Sequence, residues 1–252
     1  MKRLKYIFTF LSLLGLLSIP QVLQWLGFEP FVFSSWEQMG NELWNNINHY
    51  FYSFGTTLII GVIAIIISII IAVPIGIFIG YKEKWLGFFE TTMKFVWSIP
   101  LIAIAVFLHV LLPSNKEIQY ILINGVFLGI FPILSFTYRK TIEKDDRILN
   151  MVASFNLTKL QEFWYFRIPE VRKNLVYAMT QSVPLTFIGV TMGEYMVGGG
   201  VKDQYSGLGS ELKVGLSIEH NFSKVYVVMA LMMTLVFFSG IIFEELTKKK
   251  KE

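Results

Sequence analysis

The chain has 252 residues, of which 54% are hydrophobic and only 16% are charged, and its mean hydropathy is +0.56. This composition is typical of integral membrane proteins and excludes an ordinary soluble domain. The net charge is +4 and cysteine is absent, which excludes a disulfide framework and a thiolate metal site.

Five runs without a charged residue, and a sixth run with one acid, predict an all-α integral membrane protein with six transmembrane helices. Each run is near or above the roughly 18 to 20 residues that cross about 30 Å of hydrocarbon. The charge-free runs are residues 6–28, 51–81, 95–112, 118–138 and 225–243. The sixth run is residues 175–197, and its acid is Glu194.

The first run follows Lys2, Arg3 and Lys5, an arrangement found both in secretory signal peptides and in retained signal anchors. The run is long, and no small-x-small cleavage site follows Pro20. We therefore expect a signal anchor that stays in the membrane.

We predict three regions along the chain. Residues 1–50 hold the first transmembrane helix and an exterior interfacial segment, residues 51–247 form the main transmembrane domain, and residues 248–252 form a basic cytoplasmic tail. A cytoplasmic loop is expected at residues 139–173. Four amphipathic rings are predicted to anchor the exterior segment at the membrane interface. They are Trp36, Trp44, Tyr50 and Tyr52.

Lysine and arginine are concentrated in alternate connecting segments, and short loops rich in these residues stay in the cytoplasm. The basic segments are residues 2–5, 82–84, 139–173 and 248–251. The other loops carry Lys116, Lys202, Lys213 and Lys224. This pattern predicts a multi-pass protein of the bacterial inner (plasma) membrane with both termini in the cytoplasm. Because the basic residues flank the spans, anionic lipid is a better partner than nucleic acid.

Sequence motifs for catalysis are absent. The chain has no G-x-x-x-x-G-K-[ST] phosphate loop, no G-x-S-x-G elbow and no H-E-x-x-H pair, and its histidines (His49, His109 and His220) are scattered. We therefore predict that the chain is not an enzyme, holds no metal, and binds no cofactor of its own.

The loop at residues 139–173 is charged and amphipathic, and it predicts two short helices joined by a turn. Asn156 stands at the turn, and asparagine is among the few residues other than glycine that adopt the left-handed conformation. Thr158 and Gln161 fit a capping box that opens the second helix. One apolar face before the turn suits a groove on a partner protein. It comprises Ile148, Met151, Val152 and Phe155.

This loop resembles the cytoplasmic "EAA" loop of binding-protein-dependent ABC importer permeases. Asn150, Met151 and Val152 stand where that family has Glu-Ala-Ala, Asn156 stands at its glycine, and residues 168–169 stand at its closing Leu-Pro. The alternative is an amphipathic helix lying on the lipid surface, favoured by Trp164, Tyr165 and Arg167.

Further motifs resemble the nitrate, sulfonate, taurine and thiamine-precursor branch of these permeases, in order and in spacing. They are Thr56-Thr57-Leu58, Pro74-Ile75-Gly76, Ser98-Ile99-Pro100, Phe131-Pro132-Ile133-Leu134, Gly193-Glu194 and Gly207-Leu208-Gly209.

The resemblance implies a type I importer core and a homodimer that forms the substrate pathway. It also implies two ATPase subunits, which hydrolyse ATP, and an extracytoplasmic substrate-binding protein. The expected substrate is a small anion such as a sulfonate or nitrate, or a thiamine precursor. The residues expected to couple the chain to the ATPase are Asn150, Met151, Val152, Phe155, Asn156, Leu157, Thr158 and Gln161. The alternative function is a membrane assembly or sensory protein that transports nothing and whose loop docks a regulator.

A proline within a span lacks a backbone N–H, so a carbonyl in the preceding turn loses its hydrogen bond. Such a carbonyl is satisfied more readily beside a pathway than in lipid. Each proline also fits a helix kink that serves only packing. The candidate pathway or gate residues are Ser98, Pro100, Gln181, Thr191 and Glu194. An acid within a span normally faces a cavity or a partner. Glu194 is therefore expected to hold a gate through a hydrogen bond or ion pair, the alternatives being direct substrate contact and plain exposure at the interface.

Overall fold

The computed structural model describes residues 14–15, 18–19, 21–27, 34–81, 86–111, 117–143, 154–198 and 206–248. Its regular elements are helical and contain no strand among these residues. In chain order they are α1 (Trp36–Asn45), α2 (Ile47–Gly80), α3 (Leu86–Ser98), α4 (Leu101–Leu111), α5 (Glu117–Ile142), α6 (Lys159–Glu162), a π-helical turn (Phe163–Arg167), α7 (Ile168–Val197), α8 (Leu208–Lys213), a second π-helical turn (Val214–Ile218) and α9 (Phe222–Lys248).

Within the described residues, four helical segments are long and apolar enough to cross a membrane, and each matches one of the predicted runs. They are Ile47–Gly80, Glu117–Ile142, Leu175–Val197 and Phe222–Ile242. The first predicted run lies largely outside the described residues. A total of six spans therefore stays a prediction.

The third predicted run is not one continuous helix. It divides into α3 and α4 at Ile99 and Pro100, and the apolar part of α4, Ile102–Leu111, is shorter than the four long segments. Pro100 has no backbone N–H to donate to the preceding turn, so it cannot continue α3. Its carbonyl accepts a hydrogen bond from the amide of Ala103 at 2.9 Å, and α4 begins directly after it. Counting charges alone does not detect such a break.

The chain divides into two compact units, of which the first comprises residues 1–59 and 194–237 and the second comprises residues 60–193 and 238–252. In the second unit, small residues bring α5 and α7 into direct backbone contact. A methyl group added at Gly189 would lie 2.6 Å from the carbonyl oxygen of Asn124 and 3.0 Å from the Cα of Gly125. Small residues are the usual means by which helices approach this closely in membranes.

Hydroxyl groups supplement this close packing. Ser182 on α7 donates a hydrogen bond to the carbonyl of Gly129 at 2.7 Å, and Ser68 on α2 donates to the carbonyls of Ala64 at 2.8 Å and Val126 at 3.2 Å. Each serine side chain is thereby satisfied without water, as a buried polar group requires.

In the first unit, α1 begins at Ser35, whose side chain forms a capping box with Gln38. Trp44 is exposed, as an interface anchor requires, but the prediction for Tyr50 is wrong. Tyr50 is only 2% exposed, and its hydroxyl donates a hydrogen bond to Glu42 at 2.9 Å. The acid on α1 offers the phenol a partner inside the protein, so Tyr50 joins α1 to α2.

Candidate functional site

Within the predicted coupling loop, the structure describes residues 139–143 and then the chain from Ser154 onward. Asn150, Met151 and Val152 therefore lie outside the described residues, together with the first predicted helix of the loop. Asn156 has a φ of 47°, which is the left-handed conformation that the sequence predicts for it. The chain reverses at this residue because asparagine adopts that conformation more readily than other side chains do.

Thr158 caps the next helix as the sequence predicts. Its backbone amide donates to the side-chain oxygen of Gln161 at 2.9 Å, and its hydroxyl accepts from the backbone amide of Gln161 at 3.4 Å. This reciprocal arrangement is the capping box. It fixes the direction in which α6 leaves the turn.

Large apolar side chains around this turn are exposed, although Leu157 is partly buried. Phe155 is 71% exposed, and the others follow within α6 and the first π-helical turn. They are Leu160, Trp164 and Tyr165. A contiguous exposed group of this kind marks a surface for a protein partner or for lipid.

The first π-helical turn carries a buried cation. Arg167 is 3% exposed, and its Nε lies 2.9 Å from Oε1 of Glu162, while its Nη1 lies 3.4 Å from Oε2 of Glu170. Its guanidinium also lies 5.9 Å from the ring centre of Tyr81, the residue that follows α2. This turn therefore contacts the end of a membrane-spanning helix.

In the first unit, Glu194 is the centre of a buried hydrogen-bonded cluster, which we call the Glu194 cluster (Thr57, Glu194, Leu208 and Gly209). Glu194 is 0% exposed. The hydroxyl of Thr57 lies 2.9 and 3.0 Å from its two carboxylate oxygens, and the amide of Gly209 donates to it at 2.8 Å. The amide of Leu208 in turn donates to Thr57 at 2.9 Å. The alternative of plain interfacial exposure for Glu194 is therefore wrong, because Thr57 on α2 and the amide of Gly209 at the start of α8 enclose the carboxylate near the end of α7.

Glycine is required beside this carboxylate. A methyl group added at Gly207 would clash with the Glu194 side chain, and one added at Gly198 would clash with Ser210. The sequence shows glycine repeats here, and at Gly198 and Gly207 the absence of a side chain permits close approach of the backbone.

A second polar group in the first unit, the Glu211 cluster (His49, Ser206, Glu211 and Lys224), ties α8 to α2 and α9. The carboxylate of Glu211 lies 2.8 Å from His49 and 2.9 Å from Lys224, and it accepts from Ser206 at 2.7 Å. Burial raises the pKa of Glu211, but the hydrogen bonds from Lys224 and Ser206 and the nearby positive charges outweigh burial, so the net pKa is lowered.

Acid is expected to weaken the Glu211 cluster. The pKa of Glu211 is lower in the folded than in the unfolded chain, so its contribution is complete above the ordinary value of 4.5 and is lost as the pH falls toward the folded-state pKa. Unfolding temperatures of wild type and Glu211→Gln should differ at about pH 7, and the difference should shrink as the pH is lowered below the ordinary value of 4.5. The exposed acid Glu37 supplies the control Glu37→Gln, and a gap that stays constant with pH for Glu211→Gln would contradict this assignment.

The other predicted pathway residues do not form one cluster with each other in the described part of the chain. Ser98 and Thr191 donate hydrogen bonds to carbonyls of their own helices, those of Phe95 and Ile188. Pro100 and Gln181 are exposed. Their assignment to a pathway stays a prediction.

Sequence reasoning did not select Thr57, Arg167 or Glu211 as site residues. The available signals were the hydroxyl of Thr57 within the apolar run of α2 and the ionisable side chains of Arg167 and Glu211 near predicted spans. These signals identify candidates but do not pair them. Thr57 and Glu211 have partners far away in the chain, and a regular α-helix would not bring Glu162 beside Arg167.

Comparison with known proteins gives a family match over most of the chain. The family described as "Binding-protein-dependent transport system inner membrane component" matches residues 72–251. This match covers α3 to α9, the coupling loop and Glu194.

Three proteins of Bacillus subtilis (strain 168) are similar to the chain. The glycine betaine/carnitine/choline transport system permease protein OpuCB is 26% identical over 181 residues, which cover 72% of this chain and 79% of that protein. The glycine betaine transport system permease protein OpuAB is 23% identical, over 69% of this chain and 61% of that protein. The choline transport system permease protein OpuBB is 23% identical, over 63% of this chain and 69% of that protein.

Proposed function

Because the chain belongs to the binding-protein-dependent transport inner membrane components, the permease subunits of ABC importers, we propose that it carries a small osmolyte such as glycine betaine or choline. The observation that carries this proposal is the set of three relatives, whose names specify glycine betaine, carnitine or choline. These relatives do not support the nitrate, sulfonate, taurine and thiamine-precursor branch that the sequence motifs suggested. The family consists of transport permeases rather than enzymes.

Transport by the chain is proposed to require a second copy of itself, two ATPase subunits and an extracytoplasmic binding protein, as in its family. Residues 154–168 are the proposed ATPase contact, with both termini on the same cytoplasmic side. Support comes from the exposed side chains of Phe155, Leu160 and Trp164, which a partner groove would cover.

Reconstitution tests the substrate. The chain and its partner ATPase are reconstituted in liposomes with ATP inside and the binding protein outside, and uptake of labelled glycine betaine, choline, taurine and nitrate is compared. Uptake of glycine betaine or choline is expected, and the control is a set of liposomes that lack the binding protein. Uptake of taurine or nitrate without either osmolyte would overturn the substrate assignment, and absence of any ATP-driven uptake would overturn transport itself.

Substitution at Asn156 tests the coupling role. Asn156→Gly should keep ATPase binding and transport, because glycine tolerates a φ of 47°. Asn156→Val should impair both, since a β-branched side chain there costs on the order of 1 to 3 kcal/mol. ATPase retained on an affinity-tagged permease and uptake per permease are the measurements. Normal values for Asn156→Val would show that this turn is not the coupling element.

A further inference from the structure

Arg167 is buried in a segment that, by the proposed function, faces the ATPase. Its guanidinium lies between Glu162 and Glu170, and it is 3% exposed although the neighbouring Trp164 and Tyr165 are exposed. A buried ion pair seldom adds net stability over an apolar residue of similar size, but removing one partner leaves an uncompensated charge. The role of the pairing is therefore to hold Glu162, Arg167 and Glu170 in one fixed arrangement.

The π-helical turn makes the pairing of Arg167 with Glu162 possible. Residues five apart in a regular α-helix point about 140° away from each other, given 3.6 residues per turn. In this turn the amide of Ile168 instead bonds to the carbonyl of Phe163, the i to i+5 pattern of a π-helix. The wider turn brings the side chains at positions 162 and 167 to the same side.

The same arginine reaches a second element. Its guanidinium lies 5.9 Å from the ring centre of Tyr81, directly after α2. Burial raises the pKa of the Tyr81 phenol, the charge of Glu162 raises it further and the charge of Arg167 lowers it, as expected for three groups in contact. Arg167 thus links the end of α6, the start of α7 and the end of α2.

We infer that Arg167 is a positioning residue that makes residues 154–168, the end of α2 and the start of α7 move together when the ATPase moves this segment. This inference rests on the proposed function. Without the arginine, α6 remains capped by Thr158 and the exposed side chains remain available to the ATPase, but movement of the segment is no longer passed to α2.

The test measures coupling separately from docking. Arg167→Gln, Arg167→Lys and Glu162→Gln are assembled with the ATPase and the binding protein, and ATPase retention, ATP hydrolysis and uptake are measured on the same liposomes. Uptake per ATP is expected to fall by at least about fivefold in Arg167→Gln and Glu162→Gln, the lower end of ordinary coupling effects. Arg167→Lys, which keeps the charge, should recover part of the ratio, and ATPase retention should stay at the wild-type level in all three.

Arg172 is exposed on α7 and provides the matched control Arg172→Gln, which should retain the wild-type ratio. An unchanged uptake per ATP in Arg167→Gln, or loss of the ATPase subunit from the folded variants, would overturn the inference. If Arg167→Gln does not fold, the uptake per ATP of Glu162→Gln decides the question. This variant removes the charge of the Arg167 partner, and its amide keeps the shape of the carboxylate. Failure of the wild-type complex to transport at all would instead refute the proposed function.

Discussion

Replacing Gly189 with alanine is expected to destabilise the chain markedly, and replacing it with valine is expected to prevent stable folding. The added carbon at this position would meet backbone atoms of Asn124 and Gly125 at 2.6 to 3.0 Å. Backbone cannot rotate aside as a side chain can, so α5 and α7 would have to separate. Overpacking of this kind costs about 1 to 3 kcal/mol and occasionally more, and the backbone contact places Gly189 at the upper end.

Gly55 provides the matched control for Gly189. It lies within α2, and a methyl group added there would have no neighbour within 4 Å. Gly55→Ala should be neutral or stabilising by up to about 1 kcal/mol, because alanine favours a helix over glycine. Thermal unfolding in detergent and the monodisperse fraction after purification are the measurements. Equal unfolding temperatures for Gly189→Ala and wild type would contradict the close contact of α5 with α7.

Replacing Glu194 with alanine is expected to reduce transport by about tenfold or more, equivalent to at least about 1.4 kcal/mol. Alanine removes the acceptor for the buried hydroxyl of Thr57 and the amide of Gly209. Each buried group left without a partner costs about 1 to 3 kcal/mol. Glu194→Gln keeps one carbonyl oxygen as an acceptor, so it should retain more activity than the alanine variant.

Adjacent threonines separate a role in the Glu194 cluster from a general effect on α2. Thr57→Val removes the donor to Glu194, whereas the hydroxyl of Thr56 bonds to the carbonyl of Tyr52 within its own helix. Thr57→Val should therefore resemble Glu194→Ala in uptake and in basal ATP hydrolysis, and Thr56→Val should resemble wild type. Unchanged uptake and hydrolysis in Glu194→Ala would contradict the predicted gate role of Glu194.

Local features of this chain could be predicted from its sequence because their causes are local. The turn at Asn156 and the capping box at Thr158 depend on residues within a few positions of each other. Three of the four long apolar segments follow from the absence of charge over a membrane thickness, and the fourth carries the single acid Glu194. In contrast, Pro100 divides the third run, which a count of charges does not register.

Long-range pairs could not be predicted, because periodicity carries no information about which helices become neighbours. The sequence marks Glu194 as an acid within a span but does not indicate its partner, and only the fold brings Thr57 to it. Tyr50 has the composition of an interface anchor, yet Glu42 binds it inside the protein. The substrate branch was also beyond the motifs, since glycine and proline are frequent in membrane helices and do not specify a cargo.

The order of synthesis has a consequence for the Glu194 cluster. Thr57 precedes Glu194 by 137 residues and is already in place when the acid emerges, whereas Gly209 follows 15 residues later. Domains form from the N-terminus during synthesis, so α2 can receive the acid before α8 exists. A nascent chain that stops short of Gly209 carries Glu194 toward hydrocarbon with one of its hydrogen bonds missing. The energetic penalty of an incompletely bonded acid then falls on that fragment and not on the finished chain.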